Sequence, residues 1–298
     1  MPRKPNFLIV GAAKCGTTSL FEYLRQHPAV FMPACKEISY FAGKYENNSM
    51  SFSDYLSYFS QARQQHTRIG EASGAYLYSK EAPQKIANSL GLDTKIIIIL
   101  RNPIEMSYAL WNHNVKNGHE QLSFADAISQ ENNRMTSKDF LNNIDIWKYQ
   151  YAYIDRAIYT PQVKRYINLF GKENVRIYIF EYFFKRIENN LIDMYGFLGI
   201  DSNYKLREYK KYNSSSKIRS KFIHKIYSTE NFLTNLSKIF IPAHTRRGIS
   251  SWIYKLNSKP STKKPINTIT RQKLVHIFEP SIKELEEIIN INLQDIWK

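Results

Sequence analysis

The sequence predicts an α/β protein built on a central, mostly parallel sheet. Three observations carry that prediction. Short apolar runs recur along the chain and alternate with stretches of helical spacing. One run, Lys95–Leu100 (KIIIIL), is β-branched and almost wholly apolar, as a strand buried on both faces must be. Another, Phe7–Val10, closes on Gly11 and opens into small residues, which reads as a buried strand leading into a loop.

The elements follow in order. Ala12–Ser19 is a small-residue loop, and Leu20–Gln26 is a helix ended near His27-Pro28, because the residue before a proline disfavours the helical region. Val30–Met32 is a second short strand before Pro33. Phe52–Phe59 has helical apolar spacing, and Thr67–Ile69 is a third strand leading into Gly70-Glu71-Ala72-Ser73. After Lys95–Leu100, Pro103 begins a helix that runs to about Val115. Tyr151–Phe170 reads as one long helix, Val175–Phe180 as a buried strand and Leu191–Leu198 as a helix. Residues 202–265 are rich in Ser, Asn, Lys and Tyr, with weak periodicity broken by Pro242 and Pro260. They are expected to form long loops and short helices within a single domain spanning 1–298. Thr270–Ile289 has helical spacing at Leu274, Ile277, Phe278, Ile282, Leu285 and Ile289, and Pro280 is expected to kink or split it.

Composition narrows the function. Of 298 residues, 43% are hydrophobic and 14% aromatic, enough to bury a core and to exclude a largely disordered chain. Lys plus Arg number 42 and Asp plus Glu 26, so 42 − 26 gives +16. That surplus favours anionic partners: nucleic acid, an acidic lipid surface, a polyanionic glycan or a phosphorylated cofactor. It is equally what a generically basic surface produces. The longest apolar run, Ile96–Leu100, is far too short to span a membrane, and no apolar segment of a signal peptide follows the N-terminal basic residues, so a cytoplasmic location is expected, with a trimmed lumenal domain as the alternative. The two cysteines, Cys15 and Cys35, cannot build a disulfide framework or a zinc site, and no metal is expected.

Two motifs carry chemistry. In Phe7–Leu20 (FLIVGAAKCGTTSL) small residues let backbone N–H groups approach a phosphate, the next helix adds partial positive charge, and Lys14 adds a full one. Gly11 and Gly16 match the nucleotide-triphosphatase pattern G-x-x-x-x-G-K-[ST], but Thr17 follows Gly16 and the lysine precedes it by two residues. An ordinary ATPase loop is therefore rejected. In Lys95–Pro103 an arginine, Arg101, stands at the carboxyl end of a central strand, where open α/β sheets bind ligands. Ser107 lies about one turn into the next helix, able to face the same anion. Two anion sites at two strand ends point to a nucleotide with phosphates at separated positions.

Together these motifs resemble the sulfotransferases that use 3′-phosphoadenosine 5′-phosphosulfate (PAPS) and release 3′,5′-adenosine bisphosphate (PAP). Lys14-Cys15-Gly16-Thr17-Thr18-Ser19 is similar to the loop that binds the 5′-phosphosulfate, and Arg101 with Ser107 is similar to the 3′-phosphate segment. His27-Pro28, Lys36–Phe41, Gly70–Ser73 before Tyr76-Leu77, Tyr159 inside a long helix and the run ending in Trp297 appear in family order. The segment His27–Phe41 most resembles the glycan-modifying, heparan sulfate-type branch. The resemblance implies a P-loop-like three-layer fold and in-line transfer of a sulfuryl group to an acceptor hydroxyl, with no metal required. It implies Glu37 as general base, Lys36 beside the sulfuryl oxygens or tuning the carboxylate, and Lys14 at the leaving phosphate with backbone donors from Gly16, Thr17 and Thr18. Lys217 and Arg219, in a basic loop, are the implied candidates for the nucleotide's far side. Phe180 matches loosely a position facing adenine, although a core role is expected. The branch often carries a lysine near Ala72, which this chain lacks.

Rival readings stay open at this point. His113, His119 and Glu71 are alternative bases. Cys15, at a helix N-terminus, is a redox-switch candidate, although space-filling is expected. The acceptor could be a lipid, polyketide or other small hydroxyl instead of a glycan. A nucleotide kinase lacks its lysine after Gly16, and a polyanion-binding protein would explain the charge but not the ordered motifs.

Overall fold

The first strand, β1 (Phe7–Gly11), is apolar and buried at every position, and it lies at the centre of a five-stranded sheet. In this computed structural model the described residues are 3–42, 50–142, 148–209, 216–218, 258–260 and 265–297. The other sheet strands are β2 (Val30–Phe31), β3 (Arg68–Ala72), β4 (Lys95–Leu100) and β5 (Val175–Ile179). Their order is β2-β3-β1-β4-β5, and every neighbouring pair is parallel. The sheet is thus wholly parallel. Ile96 to Leu100 of β4 are completely buried, as their β-branched run requires.

Helices flank the sheet. These are α1 (Thr17–Leu24), α2 (Phe52–Ser57), α3 (Ala82–Leu90), α4 (Pro103–Lys116), α5 (Phe124–Ser129), α6 (Glu131–Thr136), α7 (Lys138–Asn142), α8 (Thr160–Phe170), α9 (Phe180–Lys185), α10 (Ile187–Leu198) and α11 (Thr268–Ile289). No helix among the described residues is long and apolar enough to cross a membrane.

Several elements differ from expectation. β3 continues through Gly70, Glu71 and Ala72 instead of turning at Ile69. A Cβ on Gly70 would come within 2.4 Å of the Phe7 ring, so this glycine makes room for a neighbouring strand's side chain and does not mark a turn. The expected helix over 151–170 begins only at Thr160. Pro161 fits the first turn of a helix but not its interior, and the chain before it forms short 3-10 turns. Tyr159 accordingly precedes α8 and does not lie inside a helix. Pro280 does not split α11, whose 22 residues are continuous. The burial of Leu274, Phe278 and Leu285 outweighs one lost backbone bond. Phe180 opens α9 instead of ending β5. Within 202–265, β6 (Ser216–Ile218) and β7 (Ser258–Pro260) form an antiparallel ribbon where loops and short helices are expected. Lys217 pairs with Lys259 in that ribbon, while Arg219 lies outside the described residues.

The topology locates the site. From β1 the chain goes to β2 and β3 on one side, and from β4 it goes to β5 on the other. The switch point therefore falls between β1 and β4, and a crevice opens there at the carboxyl ends. The two loops singled out in the sequence follow these two strands.

Candidate active site

The loop after β1 is held in a conformation that few residues adopt. Lys14 and Gly16 both have positive φ, 63° and 92°. A Cβ on Gly16 would lie 2.8 Å from the Phe184 ring, so glycine is required on two counts. Gly16 leads into α1, whose first turn carries no side-chain cap and no carboxylate. A helix N-terminus in that state presents N–H groups and partial positive charge to an anion. Thr17 and Ser19 are buried, and Lys36 Nζ donates to Thr17 Oγ1 at 2.9 Å. Cys15 is fully buried, with Sγ 3.4 Å from Ala13 O and 3.7 Å from Tyr159 Oη. Burial pushes its thiol up to about 12, so it stays protonated and fills space.

At the second strand end, the Arg101 guanidinium lies 4.9 Å from the centre of the Phe180 ring and 3.8 Å from the Glu105 carboxylate. Glu105 is held more closely by Arg271 of α11, at 2.5 Å. Arg101 Nε is buried without a hydrogen-bond partner, which leaves a donor for an incoming anion. The Tyr159 hydroxyl donates to Arg101 O at 3.0 Å, so one side chain touches both loops. Asn102 caps α4 by accepting from Ile104 N, and Asn102 Nδ2 donates to Trp297 O at 3.1 Å. Ser107 is fully buried, and its hydroxyl is bonded to Pro103 O at 2.8 Å and Tyr153 O at 2.7 Å. Contact between Ser107 and an anion requires one of these bonds to exchange. The uncapped helix end and the unpartnered guanidinium nitrogen together fit a ligand with two separated anionic groups.

Glu37 lies in the loop after β2. Its carboxylate accepts from Lys36 Nζ at 2.5 Å and from Gly74 N at 3.0 Å, and its side chain is 42% exposed. Both ends of the carboxylate are thus held while it faces solvent. Its backbone has φ 62°, and Ser39 has φ 59°. Among the described residues, only Asn290 joins Lys14, Glu37 and Ser39 as non-glycine residues with positive φ. Each such residue costs about 1 kcal/mol, so three of these four strained positions lie in one site. Burial holds the Lys14 ammonium down to about 8; Lys36, Lys116 and Arg156 act in the same direction, and Glu37 opposes them.

Glu71 is enclosed. It is 0% exposed and accepts from Tyr55 Oη at 2.9 Å, Tyr76 Oη at 2.6 Å and Ser73 Oγ at 2.8 Å. Burial pushes its carboxyl up to about 7. Ser73 Oγ in turn accepts from Ser39 N at 3.0 Å, so Glu71 braces the Glu37 loop and is closed off from an acceptor. His113 lies on α4 with Nε2 3.1 Å from Asn117 Nδ2, and His119 is exposed beyond that helix. His27 is buried: Nδ1 accepts from Ala29 N and Nε2 faces Asp201 O.

Sequence reasoning missed Gly74, Lys116 and Arg156. Gly74 carried a signal, since a glycine two residues after a buried strand often permits a close backbone approach. Arg156 gave none, because it reaches the site from a 3-10 turn distant in sequence.

An open, wholly parallel sheet flanked by helices, with these two loops at the carboxyl ends of its central strands, is a P-loop-like α/β architecture. Within that class the chain belongs to the sulfotransferase domain family, whose description matches residues 4–276. A solved sulfotransferase from Alicyclobacillus acidocaldarius superimposes with a TM-score of 0.72 at 25% identity, covering 98% of each chain. The membrane-associated sulfotransferase kil1 of Dictyostelium discoideum is 30% identical over 112 residues, 38% of this chain and 23% of that protein. The human heparan sulfate glucosamine 3-O-sulfotransferase 6 is 34% identical over 102 residues, 34% of this chain and 28% of that protein. These matches span well under a third of the curated relatives' own length.

Proposed function

We propose that the protein is a PAPS-dependent sulfotransferase that sulfates a carbohydrate hydroxyl. The observation that carries this reading is Glu37: a half-open carboxylate fixed between Lys36 and the Gly74 N–H, within the field of Lys14 at the uncapped end of α1. PAPS, when bound, supplies the sulfuryl group. Lys14, Cys15, Gly16, Thr17, Thr18 and Ser19 hold its 5′-phosphosulfate. Arg101 and Ser107, joined by Lys217 and Arg219, hold the 3′-phosphate side.

The chain's own groups then divide the work. Glu37 accepts the acceptor hydroxyl's proton as that oxygen bonds to sulfur. Lys14 and the N–H groups at the start of α1 stabilise the charge left on the phosphate oxygen when its bond to sulfur breaks. Lys36 bridges Glu37 and Thr17, so it links base and donor loop; with donor bound it would be the cation beside the sulfuryl oxygens.

The heparan sulfate relative and the surplus of +16 both support an anionic glycan as acceptor. The test is transfer of labelled sulfuryl from PAPS to a panel of heparan-type oligosaccharides, phenols and lipid alcohols. Label on the oligosaccharides is expected. Label confined to phenols or lipid alcohols would overturn the glycan assignment and leave the donor assignment intact.

A further inference from the structure

Arg156 is a buried cation to which the chemistry above gives no part. It lies in the 3-10 turn Asp155–Ala157 and is only 4% exposed. Burying a guanidinium is costly unless carboxylates or carbonyls compensate. Burial draws Arg156 down to about 10, and Glu37 is the first of the groups that oppose this, ahead of Tyr78, Cys15 and Tyr159. Nη2 donates to Gly74 O at 3.3 Å, and Nη1 donates to Gln150 Oε1 at 3.3 Å. The Tyr78 ring lies 5.8 Å away, a cation–π contact on a third side.

Gly74 is the junction. Its N–H donates to Glu37 Oε2 at 3.0 Å, and its carbonyl accepts from Arg156. A Cβ added to Gly74 would meet Ala13 Cα at 3.3 Å, so its backbone also packs on the loop that carries Lys14. One residue thus meets the base, the buried cation and the phosphate loop.

We propose that Arg156 is a positioning residue for sulfuryl transfer. Its guanidinium fixes the Gly74 turn, and that turn aims the Glu37 carboxylate. This inference rests on the reading of Glu37 as base. In this role Arg156 acts through Gly74, whose carbonyl it holds.

The experiment is a double-mutant cycle on the full chain with Arg156→Ala and Glu37→Gln, reading kcat, KM and PAP affinity. Arg156→Ala is expected to lower kcat about 100-fold, the scale of a small misplacement of a reacting group. PAP affinity is expected to stay unchanged, added guanidinium to restore part of kcat, and the loss to vanish in the Glu37→Gln background. Should the alanine variant not fold, Arg156→Lys keeps the charge without the planar fork and is read in the same cycle. An unchanged kcat, or an equal loss in the Glu37→Gln background, overturns the positioning role. So does a loss that tracks falling PAP affinity and resists guanidinium. The Glu37→Gln single variant reports on the base by itself. A normal rate there removes the base, and with it the positioning role, independently of any result at Arg156.

Discussion

Lys14→Ala is expected to lower kcat about 1,000-fold, the upper range for removing one group that stabilises a developing oxyanion. The side chain lies in the loop after β1, just ahead of the uncapped N-terminus of α1, and nothing else in that loop carries a full charge. Steady-state turnover with PAPS checks the prediction, and unchanged kcat would remove Lys14 from the leaving-group position. The pH dependence gives a second reading of the same residue. Burial holds the Lys14 ammonium down to about 8, so the charged form that the reaction needs is present below that pH and lost above it. The alkaline limb of kcat/KM is therefore expected near pH 8 in the free enzyme, and that limb should be absent in Lys14→Ala. In kcat the limb moves higher, because bound phosphate charge favours the ammonium.

Glu37→Gln is the second large effect. The amide keeps the shape of the side chain and still accepts from Gly74 N, but it cannot take a proton. Turnover is expected to fall roughly 100- to 10,000-fold, the range for losing a general base, while PAP affinity is retained. Glu37→Ala loses the Gly74 bond as well. A glutamine enzyme with near-normal kcat would transfer the base role elsewhere, with His113 and His119 next to be examined. Glu71 is a poor successor, since three hydroxyls and complete burial enclose it.

What was legible in the sequence was what local pattern encodes. Lys95–Leu100 could be read to the residue because a run of isoleucines has one economical use, a strand buried on both faces. The strand–loop–helix after β1 was legible because its apolar run, glycine spacing and lysine are contiguous. What failed was decided at a distance. Gly70-Glu71-Ala72 looks like a loop, yet Gly70 accommodates the Phe7 ring, and Glu71 is satisfied by Tyr55 and Tyr76 from elsewhere. Apolar spacing over 151–170 suggests one helix, but Pro161 fits only its first turn and so fixes the start at Thr160. Pro280 did the reverse, because the packing of α11 sustains a helix that local propensity would interrupt. Ser107 sits where the sequence placed it, but its bond to Tyr153 O, 46 residues away, could not be foreseen. Arg156 and Gly74 are likewise tertiary facts, a guanidinium and a carbonyl 82 residues apart.

The central claim is that the crevice between β1 and β4 takes a nucleotide with phosphates at both the 5′ and 3′ positions. Calorimetric titration of the full chain with PAP and with ATP tests it most directly, with Arg101→Ala as the companion variant. PAP is expected to bind more tightly than ATP, and Arg101→Ala to weaken PAP binding selectively. Preference for ATP, or no binding of PAP, would contradict the account.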